Sequence, residues 1–397
     1  MEALRKISLL PLTLALCTAS VGANDTPAPA LQLAAEAKEL CDSQSAQPVV
    51  ECVRETLGGD GVESVQQAID AELRKLSDAY YSEVAEQLLK REEPRATLLA
   101  ARLLRMSVHY RPSGPRNDDA AKALRARIAE LVRAAALRAE DDPMVQWALA
   151  SYVWHQELPD LAMSAVTRLR EFDPDNMAIL FLGDASGPWS TERIQQAAAT
   201  RRVELPFFDM MRSDVELLAS YEMPASLLEA SNIRNLESID GHQIMVLGLQ
   251  MAEAIPAMQG LTQACRPNDD GWLPQHRQPC ERIADVLVRE SNNVIGWSIG
   301  VALLERLAET PEQRAAAEAE RRRYRYQVEM ATDAQRTDED QLAWMKAMRV
   351  PGVDEVAMLR QHLATRGLPE APPADWQPMT LEKWQARLAA EGAERSE

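Results

Sequence analysis

Apolar residues recur along this chain at steps of three and four in one segment after another. Ile69, Leu73, Leu76, Tyr80, Val84 and Leu88 make one such stripe, and that spacing places them on a single face of an α-helix. The interval returns at Leu99, Leu103 and Met106, at Leu124, Ile128 and Leu131, at Trp297, Val301 and Leu304, and at Val356, Leu359 and Leu363. No run of strict alternation, the mark of a half-buried strand, competes with it. Between the stripes stand Pro94, Arg111-Pro112-Ser113-Gly114-Pro115, Asp142-Pro143, Asp173-Pro174, Gly187-Pro188, Pro206, Pro224, Thr310-Pro311 and Pro351-Gly352. A proline at the first helical position loses no hydrogen bond, because its missing N–H would be unpaired there, so most of these are read as helix starts. Thr310-Pro311-Glu312-Gln313 combines a capping hydroxyl, a first-turn proline and a glutamine at the third position. That capping box predicts a helix running to about Thr332.

Regularly spaced helices with short connections favour antiparallel neighbours, the recipe for a bundle or a solenoid. The segment from Trp147 to Pro174 resembles a tetratricopeptide repeat. It has Trp147, the small pair Ala150-Ser151, Trp154, then Ala162, Val166, Leu169 and the terminal Pro174. The pattern restarts with Ile179, Leu182 and Gly183 and is lost at Gly187-Pro188. One residue is missing from the turn, and Trp154 stands where the family has tyrosine. The resemblance covers residues 143–186 and implies stacked helical hairpins with a concave surface for a protein or peptide, near Trp147, Trp154 and Phe181. The expected fold is therefore all-α, an irregular α-solenoid of stacked hairpins. Its expected parts are a segment 1–23, a helical block 24–112, tetratricopeptide-like hairpins 116–186, a second block 187–366 and a terminal strap 367–397.

Composition agrees, since the chain is rich in Ala, Leu, Glu and Arg, which are strong helix formers. The amino terminus reads as a secretory signal, with Arg5 and Lys6, an apolar run from Ile7 to Leu16, and Val21-Gly22-Ala23 before the expected cleavage. The run is broken by Pro11 and falls short of the ~20 residues a membrane-spanning helix needs. The expected location is periplasmic or secreted. Cys17 is the one residue a lipid anchor would use, although Leu14-Ala15-Leu16 puts a bulky leucine where such motifs have a small residue. Cys41, Cys52, Cys265 and Cys280 remain after cleavage, and in an oxidising compartment they read as disulfides. Three pairings are possible on paper; the local one, Cys41 with Cys52 and Cys265 with Cys280, asks least of the fold. A formal charge of −18 speaks against nucleic acid and anionic lipid as partners.

Chemistry-bearing motifs are few. The five histidines, His109, His155, His242, His276 and His362, are scattered, so neither a metal site nor a cofactor is expected. Glu290-Ser291, closing the segment Val286-Leu287-Val288-Arg289, resembles the Glu-Ser motif of lytic transglycosylases. That resemblance implies a general acid held protonated in an apolar cleft, but the family's Gly-Leu-Met-Gln element is replaced by Gly296-Trp297-Ser298 and Gly300. Arg321-Arg322-Arg323-Tyr324-Arg325-Tyr326 reads as a solvated helix face, with Glu318 four residues before Arg322 to pair with it, or as a protein-docking stripe. The loop between Cys265 and Cys280 either presents Trp272 to a partner or folds it back as a lid. Pro369, Pro372, Pro373, Trp376 and Pro378 form an extended strap expected to dock on the last hairpin, followed by an amphipathic segment at Leu381, Trp384 and Leu388. The functional expectation is an exported interaction scaffold for a protein or peptide. A Glu290-dependent cell-wall hydrolase and a purely structural envelope component are the alternatives.

Overall fold

The periodic stripes become helices throughout the computed structural model, which describes residues 73–109, 119–182, 187–229, 236–253, 258–267, 272–333 and 338–380 and the single positions 67, 71 and 233. The segment 1–23, Cys41, Cys52 and the segment beyond Thr380 lie outside the described residues. The fold is all-α. Helix α1 covers 73–89. It is followed by α2 (Pro94–His109), α3 (Asp119–Arg138), α4 (Pro143–Leu149), α5 (Tyr152–Glu157) and α6 (Pro159–Phe172). A 3-10 turn at Met177–Phe181 leads to α7 (Thr191–Ala199), α8 (Phe207–Leu218), α9 (Ala225–Glu229), α10 (Ser238–Glu253) and α11 (Gln259–Ala264). The chain then forms α12 (Arg277–Glu290), α13 (Val294–Leu307), α14 (Pro311–Asp333), α15 (Asp338–Met348) and α16 (Glu355–Thr365).

Punctuation behaves as its chemistry requires. Pro94, Pro143 and Pro311 are first helical residues, Pro206 and Pro224 immediately precede helices, and Pro174 and Pro351 lie in turns. The capping box forms: the Gln313 amide donates to Thr310 Oγ1 at 3.2 Å while Gln313 Oε1 accepts from the Thr310 amide at 3.1 Å. The tetratricopeptide-like segment departs from a single first helix. Ser151 takes an extended conformation (φ −62°, ψ 155°) and divides the helix into α4 and α5, with Ala150 and Ser151 both buried at the bend. The renewed pattern after Pro174 yields only the buried 3-10 turn.

Sequence neighbours pair as α2 with α3, α4 and α5 with α6, α12 with α13, and α13 with α14, while α8 packs on α10, α7 on α12 and α14 on α16 across longer separations. A main core runs from Tyr80 through Leu99, Val132, Trp154 and Leu218 to Met358. A second gathers Met177, Phe181, Ile194, Leu261, Ile283, Leu287 and Leu303. Trp147 packs against both. Cys265, at the end of α11, is joined by a disulfide to Cys280 in α12, as the local pairing expected.

The loops meet in a hydrogen-bonded seam. Between α7 and α8, residues 201–205 pair in parallel with the connector after α6 on one side and the α12–α13 connector on the other. Met177 N donates to Arg202 O at 2.9 Å, and Asn292 N donates to Val203 O at 3.1 Å. Two asparagine side chains extend this ladder as if they were backbone. Asn176 donates to Glu204 O and accepts from Glu204 N, both at 2.9 Å, and Asn292 does the same with Leu205 at 3.0 Å. The start of α16 joins in, since Glu355 accepts from Val294 N at 2.9 Å.

The α12–α13 hairpin is drawn close by glycines. A Cβ on Gly300 would lie 2.8 Å from Leu287 Cβ and 2.9 Å from the Val288 backbone nitrogen. Gly300→Ala is therefore expected to destabilise by about 1–3 kcal/mol through overpacking. Gly248→Ala in α10, where the new methyl meets nothing within 4 Å, should instead stabilise by about 0.5–1 kcal/mol through helix propensity. Denaturant midpoints that move in the same direction for both would contradict this packing. Reduction of the Cys265–Cys280 bridge, which closes a separation of 15 residues, should lower the unfolding free energy by about 3 kcal/mol, read by urea titration with and without reductant.

Candidate functional site

A shallow hollow opens where the start of α2 meets the end of α3 and the start of α4, lined by Pro94, Arg95, Leu137, Arg138 and the connector from Ala139 to Pro143. Its floor is a fixed ion pair. Asp142 caps α4 by accepting from Met144 N at 3.0 Å, and Arg95 grips both of its oxygens, Nε to Oδ2 at 2.6 Å and Nη2 to Oδ1 at 2.9 Å. Burial works against the Asp142 carboxylate, but the Arg95 guanidinium and the Met144 and Val145 amides outweigh it and hold the pKa below the usual range. Arg138 braces the opposite wall, donating to Glu92 O and Thr97 Oγ1, each at 3.0 Å. Glu92 has a left-handed φ of 57°, a conformation that costs a non-glycine residue about 1–3 kcal/mol. Its carbonyl is thus held in place from the hollow side. At the rim Leu137 is 75% exposed beside Glu140 and Asp141.

Behind Arg95 lies the main polar centre of the core. Arg102, 2% exposed, donates through Nη1 to Asp214 Oδ2 at 2.5 Å, enclosed by Leu98, Leu99, Met144, Val145, Ala148 and Met210. Burial pushes the Asp214 pKa up, against the pull of Arg102, Gln250 and Arg95. The pair joins α2 to α8, and Arg102 was visible in the sequence as a charge interrupting the apolar run from Leu98 to Leu104, whereas Asp214 sits among polar neighbours. A second centre joins α1 to α10: Tyr80 Oη and His242 Nε2 lie 2.6 Å apart. His242 is fully buried, and its Nδ1 has no hydrogen-bond partner among the described residues. Burial lowers the His242 pKa to about 4 and raises that of Tyr80, to which Tyr81, Glu83 and Tyr221 add.

The residues singled out by sequence are dispersed. Trp154 lies wholly within the main core and Phe181 within the second, where Phe181 packs against Trp189 at 5.4 Å. Both are packing residues, because their partners come from other helices, and neither offers a surface for binding. Trp147 is half-buried between the two cores. Trp272 folds back half-buried and edge-on to His276, whose Nε2 pairs with Thr191 Oγ1 at 2.9 Å, so its ring closes over the helices in the manner of a lid. Glu290 is exposed at the end of α12. Its backbone carbonyl accepts from Val203 N in the seam; of the nearby glycines, Gly296 lies against Ser291 and Asn293 of the connector and Gly300 against Leu287 and Val288 of α12. In the arginine-rich stretch, Glu318 pairs with Arg321 rather than Arg322, because Arg322 is turned to the strap. Among the described residues no group of three His, Cys, Asp or Glu gathers as a metal site, and no helix is long and apolar enough to cross a membrane. Compared with known proteins, the chain matches no family model, no curated protein and no solved structure.

Replacing Asp214 by alanine strands the Arg102 guanidinium in the core and should cost about 3–5 kcal/mol, whereas the double change Arg102→Met with Asp214→Leu should recover most of it. Equal losses in the single and double variants, measured by denaturant unfolding, would count against an uncompensated charge as the cause. For His242 the folded pKa lies below the unfolded value, so the unfolded chain takes up its proton first as the pH falls. Stability is full above about 6.5 and declines towards pH 4, by up to about 3 kcal/mol. His242→Asn should flatten that part of the stability curve.

Proposed function

We propose that this protein is an exported, disulfide-braced helical scaffold of the periplasm or cell exterior that binds another protein or a peptide. The hollow at the start of α2 and α4 carries this reading. It sets a leucine, Leu137, three-quarters exposed beside arginines already locked by Asp142, Glu92 and Thr97. Side chains already held in place pay little ordering entropy on docking, and arginine is among the residues enriched at binding hot spots. The likeness of residues 143–186 to a tetratricopeptide repeat and the half-buried Trp147 beside them support the same reading. The Cys265–Cys280 disulfide and the segment 1–23 support export, and the net charge of −18 favours a protein partner over nucleic acid.

Crosslinking in the periplasm followed by affinity capture tests the proposal. Leu137→Asp should reduce recovery of the captured partner by about tenfold, the equivalent of one anchor of 1–2 kcal/mol, with an unchanged circular dichroism spectrum. The same capture profile in wild type and Leu137→Asp would remove the hollow as the docking surface. Trp154→Ala is a poor probe of binding, since emptying that buried site should cost about 3–5 kcal/mol of stability.

A further inference from the structure

Beyond α16 the chain turns on Gly367, at a left-handed φ of 66°, and residues 369–380 cross α14 without regular structure. The hydrogen bonds that hold them run between α14 side chains and the strap's backbone. Arg322 Nη2 donates to Trp376 O at 2.9 Å and reaches Pro373 O at 3.3 Å and Ala374 O at 3.5 Å. Gln327 Nε2 donates to Glu370 O at 2.9 Å, and Glu329 Oε2 accepts from Met379 N at 2.9 Å. Trp376 is the strap's side-chain anchor, with its ring edge-on to Tyr326 at 5.4 Å and under the Arg322 guanidinium at 5.8 Å.

That is how a groove holds an extended peptide, not how a core holds a structural element. From Pro369 to Thr380 no strap residue is buried; Pro372, Trp376, Pro378 and Met379 are half covered and the rest are exposed. The receiving side is different. Tyr326 and Gln327 are 2% and 1% exposed, and Tyr326 Oη and Gln327 Oε1 have no hydrogen-bond partner among the described residues. A proline-rich segment lacks N–H groups at its prolines and so brings no donor from them to an acceptor such as Gln327 Oε1. Its preformed extended backbone nonetheless makes it a low-entropy ligand for donors that read carbonyls beside an aromatic ring.

We propose that the face of α14 formed by Arg322, Tyr326, Gln327 and Glu329 is a binding site for an extended, proline-rich peptide carrying a tryptophan, filled here in cis by residues 369–380 and open to a competing segment in trans. This deepens the protein- and peptide-binding reading, but on a surface separate from the Leu137 hollow, so loss of one site leaves the other standing.

The test uses the full chain and a fluorescently labelled synthetic peptide of residues 367–380. Trp376→Ala frees the α14 face by weakening the strap, and should bind the peptide at least about tenfold more tightly than wild type, whose site is already occupied. Adding Arg322→Ala should abolish that gain. A folded Trp376→Ala chain that binds no better than wild type, or equally well with Arg322→Ala, overturns the proposal. Hydrogen exchange on the unaltered protein gives an independent check. The Trp376 and Met379 amides should exchange well before the interior amides of α14; protection that lasts as long as that of α14 makes the strap a fixed part of the fold and also overturns it.

Discussion

Residues 201–205 are the strip on which the helix ends converge. A helix leaves its first N–H and last C=O groups without internal partners, and an unpaired buried group costs about 1–3 kcal/mol. In this chain the connectors after α6, between α7 and α8, and between α12 and α13 settle that cost sideways, by pairing with one another. Asn176 and Asn292 lengthen the ladder because a carboxamide carries the same donor and acceptor as a peptide group. The geometry fixes where α6, α7, α8, α12 and α13 begin or end, and therefore which faces of them meet. It also explains why the second core can be built from short helices: α7, α11 and the 3-10 turn would be marginal alone, and are held at their ends by the seam and the disulfide.

The main core meets a different constraint. Its helices meet across long sequence separations, and buried polar pairs tie them together. Arg102 and Asp214 are 112 residues apart in sequence, Tyr80 and His242 162, and Asp240 and Arg349 109. Closing loops of that length carries an entropic cost that rises only slowly with length, so a pair that is satisfied in a single arrangement can select it at modest expense. Arg212 adds to this by donating to the carbonyls of Met348, Val350 and Val353 at the end of α15. The main core is thus apolar in bulk and polar at the points where remote helices must find their partners.

Helical periodicity made the element content of the fold legible, because a stripe such as Tyr80, Val84 and Leu88 reports directly which face is buried. Rules that close over a short stretch of chain were legible as well: the Thr310–Gln313 capping box and the Cys265–Cys280 bridge; the strap was legible as an extended segment, but it lies on α14 and not on the last hairpin, α15 and α16. What escaped is whatever depends on the partner. Ala150-Ser151 reads as the middle of one helix until Ser151 turns the chain inward. Trp154 and Phe181 read as surface aromatics of a groove, yet burial is decided by neighbours that the local sequence does not contain. Asn176 and Asn292 look like ordinary helix-start residues, and only the approach of residues 201–205 shows their second use. Arg102 was the detectable exception, a charge inside an apolar run that only a buried partner explains.

The arrangement of charge also bears on what kind of function this fold supports. General acid–base chemistry needs a group that is shifted by its surroundings and still open to a substrate. Asp214, His242 and Glu355 are shifted by burial and each is bonded to a structural neighbour, Arg102, Tyr80 and the Val294 amide respectively; His362, also shifted by burial, is half-buried with its ring edge-on to Trp344. Glu290 has the opposite character, an exposed carboxyl at a helix end. Among the described residues, Leu137 instead stands exposed beside Arg95 and Arg138, and the face of α14 binds backbone carbonyls of the strap.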